Sequence, residues 1–196
     1  MVHISNKDNE QWGKYSQVFE LVQANMGYVP NNLKSLVRQP EICDAFMALA
    51  QATLGPSNPL EPSLIHLVSY ITSRSAGCLY CQAHTALSAS KSGVADEKIQ
   101  AVWEFEQSDL FDDKERSALA LAQASGAMPN AASQAHYDRV RQYFSEDEII
   151  AIVSICALFG FLNRFSDSLA QTLEPEPLAF ATRVLSANGW AAGKHQ

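Results

Sequence analysis

Apolar and polar positions alternate along this chain with the period of a helix nearly everywhere. In the stretch LEPSLIHLVSYITSRSAGC, Leu64, Leu67, Val68 and Ile71 recur at helical spacing, which predicts an amphipathic helix over residues 63–74. Gln17 to Met26 reads as a helix ending near Gly27, and Tyr28-Val29-Pro30-Asn31-Asn32 as a turn in which Asn31 or Asn32 caps a short helix. Pro40 opens another helix, through Ala48 and Leu54, and Gly55-Pro56-Ser57-Asn58-Pro59 breaks it. After Gly77, Cys78 stands at or just before a helix reaching about Lys91. Asp96 starts a short helix through Val102, and Asp112 or Asp113 caps one carrying Leu119 and Leu121.

Ser145-Glu146-Asp147-Glu148 has the signature of a capped, acidic helix start. The most apolar run of the chain follows, Ile149 to Leu162, in a helix reaching about Thr172. Glu174-Pro175-Glu176-Pro177 reads as its stop, and a last helix covers Leu178 to Ser186. No stretch shows strand-like alternation between hairpin turns. The expectation is one all-α domain over 1–196, a helical bundle with two antiparallel helix pairs around residues 64–93.

Composition narrows the function classes. With 196 residues and 47% apolar content, the chain can build a proper core. A net charge of −7 lacks the basic surface that nucleic acid requires. The apolar run 149–162 is shorter than the roughly 20 residues of a membrane span. The first residues are polar and form no secretory signal, so the expected location is cytoplasmic.

In that compartment the stretch GCLYCQAHTAL, residues 77–87, carries most of the chemistry. Gln82 after Cys81 removes haem attachment, which needs CxxCH. Structural zinc needs four ligands; only Cys78, Cys81 and His84 are close in sequence, with His66 a conceivable fourth. Two inert buried thiols are the plain alternative, and they are the better reading for Cys43 and Cys156. A redox dithiol fits the pair best. CxxC in a first helical turn brings the sulfurs within bridging distance, and the helix start favours thiolate. Position favours Cys78 as the attacking sulfur; proximity to His84, on the same helix face, favours Cys81. The residues alone leave that choice open. Tyr80 and the Asn163, Arg164, Asp167 group read as packing and as a polar network. Tyr70 shares a helix face with His66, and His3 and His136 read as surface residues.

Those residues and their surroundings resemble the AhpD-like alkylhydroperoxidase group of the carboxymuconolactone decarboxylase family. The resemblance extends from GYVPNNL (27–33) and QPEICDAF (39–46), through the helix–CxxC–helix unit, to FGFLNRFSDSLAQTLEPE (159–176), which is similar to the ending of the peroxidase-related subgroup. It implies an all-α fold assembled as a homo-oligomer, a trimer or hexamer. It also implies peroxiredoxin-type reduction of a small hydroperoxide without cofactor, reset by a thiol or protein disulfide reductant. By resemblance Cys81 attacks the peroxide and Cys78 resolves the sulfenic acid as a disulfide, while the decarboxylases of the family lack the CxxC. Two positions depart. Where the family has histidine four residues after the second cysteine, this chain has Thr85, with His84 one place earlier. Where it has a relay glutamate twelve residues before the first cysteine, this chain has His66. The rival classes are a redox-sensing or metal-binding dithiol, and a lyase acting on a small ring.

Overall fold

The computed structural model describes residues 2–196. It is 69% helical, with ten α-helices and no strand among the described residues. They are α1 (Ser16–Met26), α2 (Asn31–Leu36), α3 (Pro40–Leu54), α4 (Pro62–Ser75), α5 (Leu79–Lys91), α6 (Asp96–Gln100), α7 (Asp113–Gly126), α8 (Gln134–Val140), α9 (Glu146–Ser168) and α10 (Pro175–Val184).

Helix α4 is the central rod. Leu64, Ile65, Leu67, Val68, Tyr70 and Ile71 are all buried, and so are Ser69, Thr72 and Ser73. Those three hydroxyls add no orphaned polar group, because each donates to the carbonyl four residues back, at 2.7, 2.7 and 2.9 Å. Small residues let neighbours come close: Ala83, Ala86 and Ala89 on α5, and Ala118, Ala120, Ala122 and Ala124 on α7. Gly126 closes α7 so tightly against α4 that a Cβ there would lie 2.7 Å from the Thr72 carbonyl oxygen. A smaller cluster of Trp12, Tyr15, Phe19, Val29, Leu36, Val37 and Cys43 joins the main core through Phe46.

Several boundaries differ from the sequence reading, each for a local reason. Neither Asn31 nor Asn32 caps α2. Pro30 occupies that place, and the Asn31 amide is spent on the Thr172 carbonyl at 2.8 Å. Helix α8 goes unread because it is short and only Val140 of it is buried. Helix α9 stops at Ser168, short of Thr172, since Ala170 turns left-handed at φ 49°. Pro175 sits inside the first turn of α10, where its missing N–H costs nothing, so the last helix begins there and not at Leu178. At 23 residues α9 is long and apolar enough to cross a membrane by length and composition alone. Ile149, Ile152, Ile155, Leu158, Phe159 and Leu162 of it are nonetheless buried in the protein core.

That burial makes a stability prediction. Ile155 is fully buried, while Ile150, on the opposite face, is exposed. Ile155→Ala is expected to cost about 2–5 kcal/mol in urea unfolding, and Ile150→Ala no more than about 0.5 kcal/mol. Equal costs would contradict a core role for that face of α9.

Candidate active site

Cys78 is the N-cap of α5. Gly77 before it takes φ 77°, a conformation that permits the abrupt turn out of α4. The Cys81 backbone N–H then donates to the Cys78 sulfur at 3.3 Å, so the sulfur fills the capping place usually held by an oxygen. Both cysteines are free thiols, 1% and 3% exposed. Burial pushes the Cys81 thiol well above its ordinary value, and the adjoining Cys78 side chain pushes it the same way. The Ser166 hydroxyl, reaching in from α9, works against that shift. Cys81 therefore rests as a neutral thiol, and the helix start favours any negative charge on Cys78.

Beside the dithiol lies a buried acid–base cluster centred on Glu174, the residue before α10. Its carboxylate accepts from the Asn31 backbone N–H, from the Tyr80 hydroxyl at 2.9 Å and from His84 Nε2 at 2.7 Å. The Tyr28 hydroxyl meets the other nitrogen of His84 at 3.3 Å. Tyr80 and His84, one turn apart on α5, stack with ring centroids 4.4 Å apart. Burial alone would raise the Glu174 carboxyl; the His84 charge, its hydrogen bond and the Asn31 N–H outweigh it, and the group is held below the ordinary carboxylate range.

His84 thus stands with both ring nitrogens engaged away from the cysteines, and no hydrogen bond links it to Cys81 among the described residues. Thr85, at the family's histidine position, donates to the Cys81 carbonyl at 2.7 Å. His66 makes no hydrogen bond to the cysteines or to Glu174. It lines a separate cavity with Tyr28, Leu54, Leu87 and Lys91, and burial lowers its pKa. Tyr70 bonds Arg74 at 3.4 Å, not His66. No three His, Cys, Asp or Glu residues group to hold a metal ion among the described residues.

Sequence reasoning missed two partners. Glu174 reads only as part of a helix stop, because its ligands lie 90 or more residues away in sequence. The second is the tail after α10. Trp190 Nε1 donates to the Leu79 carbonyl at 3.2 Å, and His195, fully buried, bonds the Gln171 carbonyl at 2.7 Å and faces Asp167 at 3.3 Å. Its ring lies 5.8 Å from that of Tyr80.

Residues 40–124, which include the α4–α5 unit and both cysteines, match the model of the carboxymuconolactone decarboxylase family. This segment is similar to that family. Among curated proteins, the chain is 27% identical over 112 residues to the uncharacterized Escherichia coli (strain K12) protein YnjA. That match covers 57% of this chain and 62% of YnjA, less than two thirds of its length. Among solved structures, the debrominase Bmp8 superposes with a TM-score of 0.85 at 28% identity, covering 92% of this chain and 96% of Bmp8. That structure is of a cysteine-to-alanine variant in complex with 2,3,4-tribromopyrrole. An uncharacterized peroxidase-related protein from Ralstonia eutropha JMP134, described as an alkylhydroperoxidase AhpD core, superposes at 0.81. It is 20% identical, and the match covers 92% of this chain and 95% of that one. The all-α fold is AhpD-like, and the family match over residues 40–124 together with these neighbours points to an enzyme.

The buried carboxylate gives a prediction with a defined sign. A carboxyl whose folded pKa is depressed adds stability above its unfolded value, about 4.3. That stability is lost as pH falls through the folded value. Glu174→Ala, which strands three donors, is expected to cost about 3–5 kcal/mol at pH 7. The gap from wild type should narrow in urea melts taken from pH 5 downward. A gap that stays constant to pH 2 would show that the ionised Glu174 is not what holds the cluster.

Proposed function

We propose that this protein is a dithiol-dependent reductase of small organic hydroperoxides, with Cys78 and Cys81 as the redox pair. The observation that carries the reading is the capping contact: Cys78 sulfur on the start of α5, with Cys81 one turn on and both sheltered from water. Burial keeps the proton on Cys81 at rest. Loss of that proton to a neighbouring base makes Cys81 the nucleophile, which takes the terminal oxygen of ROOH. The O–O bond breaks, ROH leaves with a proton, and Cys81 becomes sulfenic acid. Cys78 then displaces its hydroxyl as water and closes the disulfide, and an external thiol or protein dithiol reopens it. The cycle converts ROOH and two thiols into ROH, water and a disulfide, with no cofactor. Glu174 and His84, with Tyr80 between the cysteines, are the nearest acid–base groups to manage these protons. His66 would act only through Tyr28, with which it shares a cavity. Assembly as a trimer or hexamer and a cytoplasmic location belong to the same reading.

A second reading has its own support in the likeness to a debrominase. The same pair could remove bromine from an electron-rich ring. One sulfur takes the halogen, the carbon takes a proton, and the second sulfur expels bromide as the disulfide forms. The electron count is the same, and only the atom transferred differs.

With dithiothreitol supplied, wild type is expected to consume cumene hydroperoxide catalytically, and Cys81→Ser to lose that turnover. Cys78→Ser should reduce a single equivalent and leave a sulfenate on Cys81 that dimedone traps, read by mass spectrometry. Trapping on Cys78 in Cys81→Ser would reverse the two roles. If reduced wild type debrominates a bromopyrrole but leaves every hydroperoxide intact, the second reading replaces the first.

A further inference from the structure

One polar side chain of α9 is buried with nothing to bond. Asn163 is 4% exposed, and neither its Oδ1 nor its Nδ2 has a hydrogen-bond partner among the described residues. An unpaired buried amide is costly, and native proteins keep few of them. The nearby Asn32 shows the ordinary outcome: its amide donates to Ser166 at 3.3 Å.

Asn163 lines a cavity of about 180 Å³, together with Thr72, Ala76, Gly126 and Asp167. Met128, Cys156, Gly160 and Arg164 border both this cavity and a wider one of about 740 Å³, within the size range of small-molecule sites. The walls of the wider chamber are largely apolar, with Tyr137, Val153, Phe161, Phe165 and Leu169 among them. Arg164 is no anion trap, since its guanidinium is taken by the Gly160 carbonyl at 2.7 Å and the Met128 sulfur at 2.9 Å. The Asp167 carboxylate on the inner wall is paired with Lys194 at 2.9 Å. A neutral ligand fits this lining.

The smaller cavity lies beside the turn that carries Cys78. Its wall includes Thr72 and Ala76 at the end of α4, and the Cys78 N–H donates to the Ser73 carbonyl at 3.1 Å. Asp167, on the same wall and four residues beyond Asn163 on α9, acts on Cys81 through its charge. The free amide thus faces the smaller, inner cavity, near the turn that carries Cys78.

We propose that this chamber receives the organic part of the substrate and that Asn163 holds its head group. The ligand class is a neutral, ring-sized organic hydroperoxide, whose O–H donates to Oδ1 and whose peroxide oxygen accepts from Nδ2. Hydrogen peroxide can use the amide but leaves the chamber unfilled, so the site favours bulky hydroperoxides. The assignment deepens the hydroperoxidase reading and rests on it for the identity of the head group.

The test separates binding from turnover. The probe is cumyl alcohol, the unreactive alcohol counterpart of cumene hydroperoxide, titrated into reduced wild type by calorimetry. Saturable binding is expected, weakened about tenfold or more in Asn163→Leu and in Ala157→Trp. Ala157 is an exposed wall of the chamber, so its variant remains informative even if Asn163→Leu misfolds. The ratio of kcat/KM for cumene hydroperoxide to that for hydrogen peroxide should fall by about the same factor in Ala157→Trp. No saturable binding to wild type, or binding that ignores both substitutions, overturns the chamber. Turnover of both peroxides with a ratio unmoved by Ala157→Trp overturns it too and leaves the hydroperoxidase reading standing. Binding with the expected pattern but no hydroperoxide turnover keeps the chamber as an organic-ligand site and removes that reading instead.

Discussion

Burying a carboxylate costs several kcal/mol unless donors surround it, and the carboxylate of Glu174 and its donors come from three separate places in the chain. The Asn31 N–H opens α2, Tyr80 and His84 lie on α5, and Glu174 itself caps α10. Satisfying one charge therefore fixes the start of α2, the first two turns of α5 and the turn after α9 relative to one another. The cysteines lie inside that frame, with Tyr80 between them. A side chain outside the CxxC thus helps determine where the cysteine pair sits.

The same constraint explains which features were legible in the sequence. Helices α3, α4, α5 and α9 declare themselves through apolar periodicity and flanking Pro, Gly and Ser residues, because those signals act within a few residues. The Asp112 and Ser145 caps are local too, each closed by a glutamate three residues on. What local pattern could not supply was the destination of the polar groups. Asn31 has the composition of a cap, yet its bonds go to Thr172 and Glu174. Glu174 sits in a Pro-rich stretch that reads only as a break. The cysteine pair was readable as chemistry from its spacing, but the environment of His84 was not, since both its partners come from distant segments.

The two departures from the family pattern look different once those partners are known. Thr85 stands where the family has histidine, and its hydroxyl is turned back onto the Cys81 carbonyl. His66 stands where the family has glutamate, and it faces another cavity. Cys81 thus lacks the direct activation that the resemblance implies. In its place the chain has a carboxylate–imidazole pair shifted one position along α5 and supplied from the far end of α9. The acid–base capacity is retained, but it is organised around Tyr80 and Glu174.

That rearrangement bears on how the cysteine pair holds its protons. Burial and the neighbouring cysteine both keep the proton on Cys81. Cys78 has the Cys81 N–H and the positive end of α5. A pair poised this way cannot act as two independent thiols, because removing the proton from one sulfur raises the cost of ionising the other. The Ser166 hydroxyl, which accepts from Asn32, works against the upward shift on Cys81. Helix α9 thus brings Ser166 to bear on Cys81, while the Asn163 amide, one turn back, has no partner among the described residues.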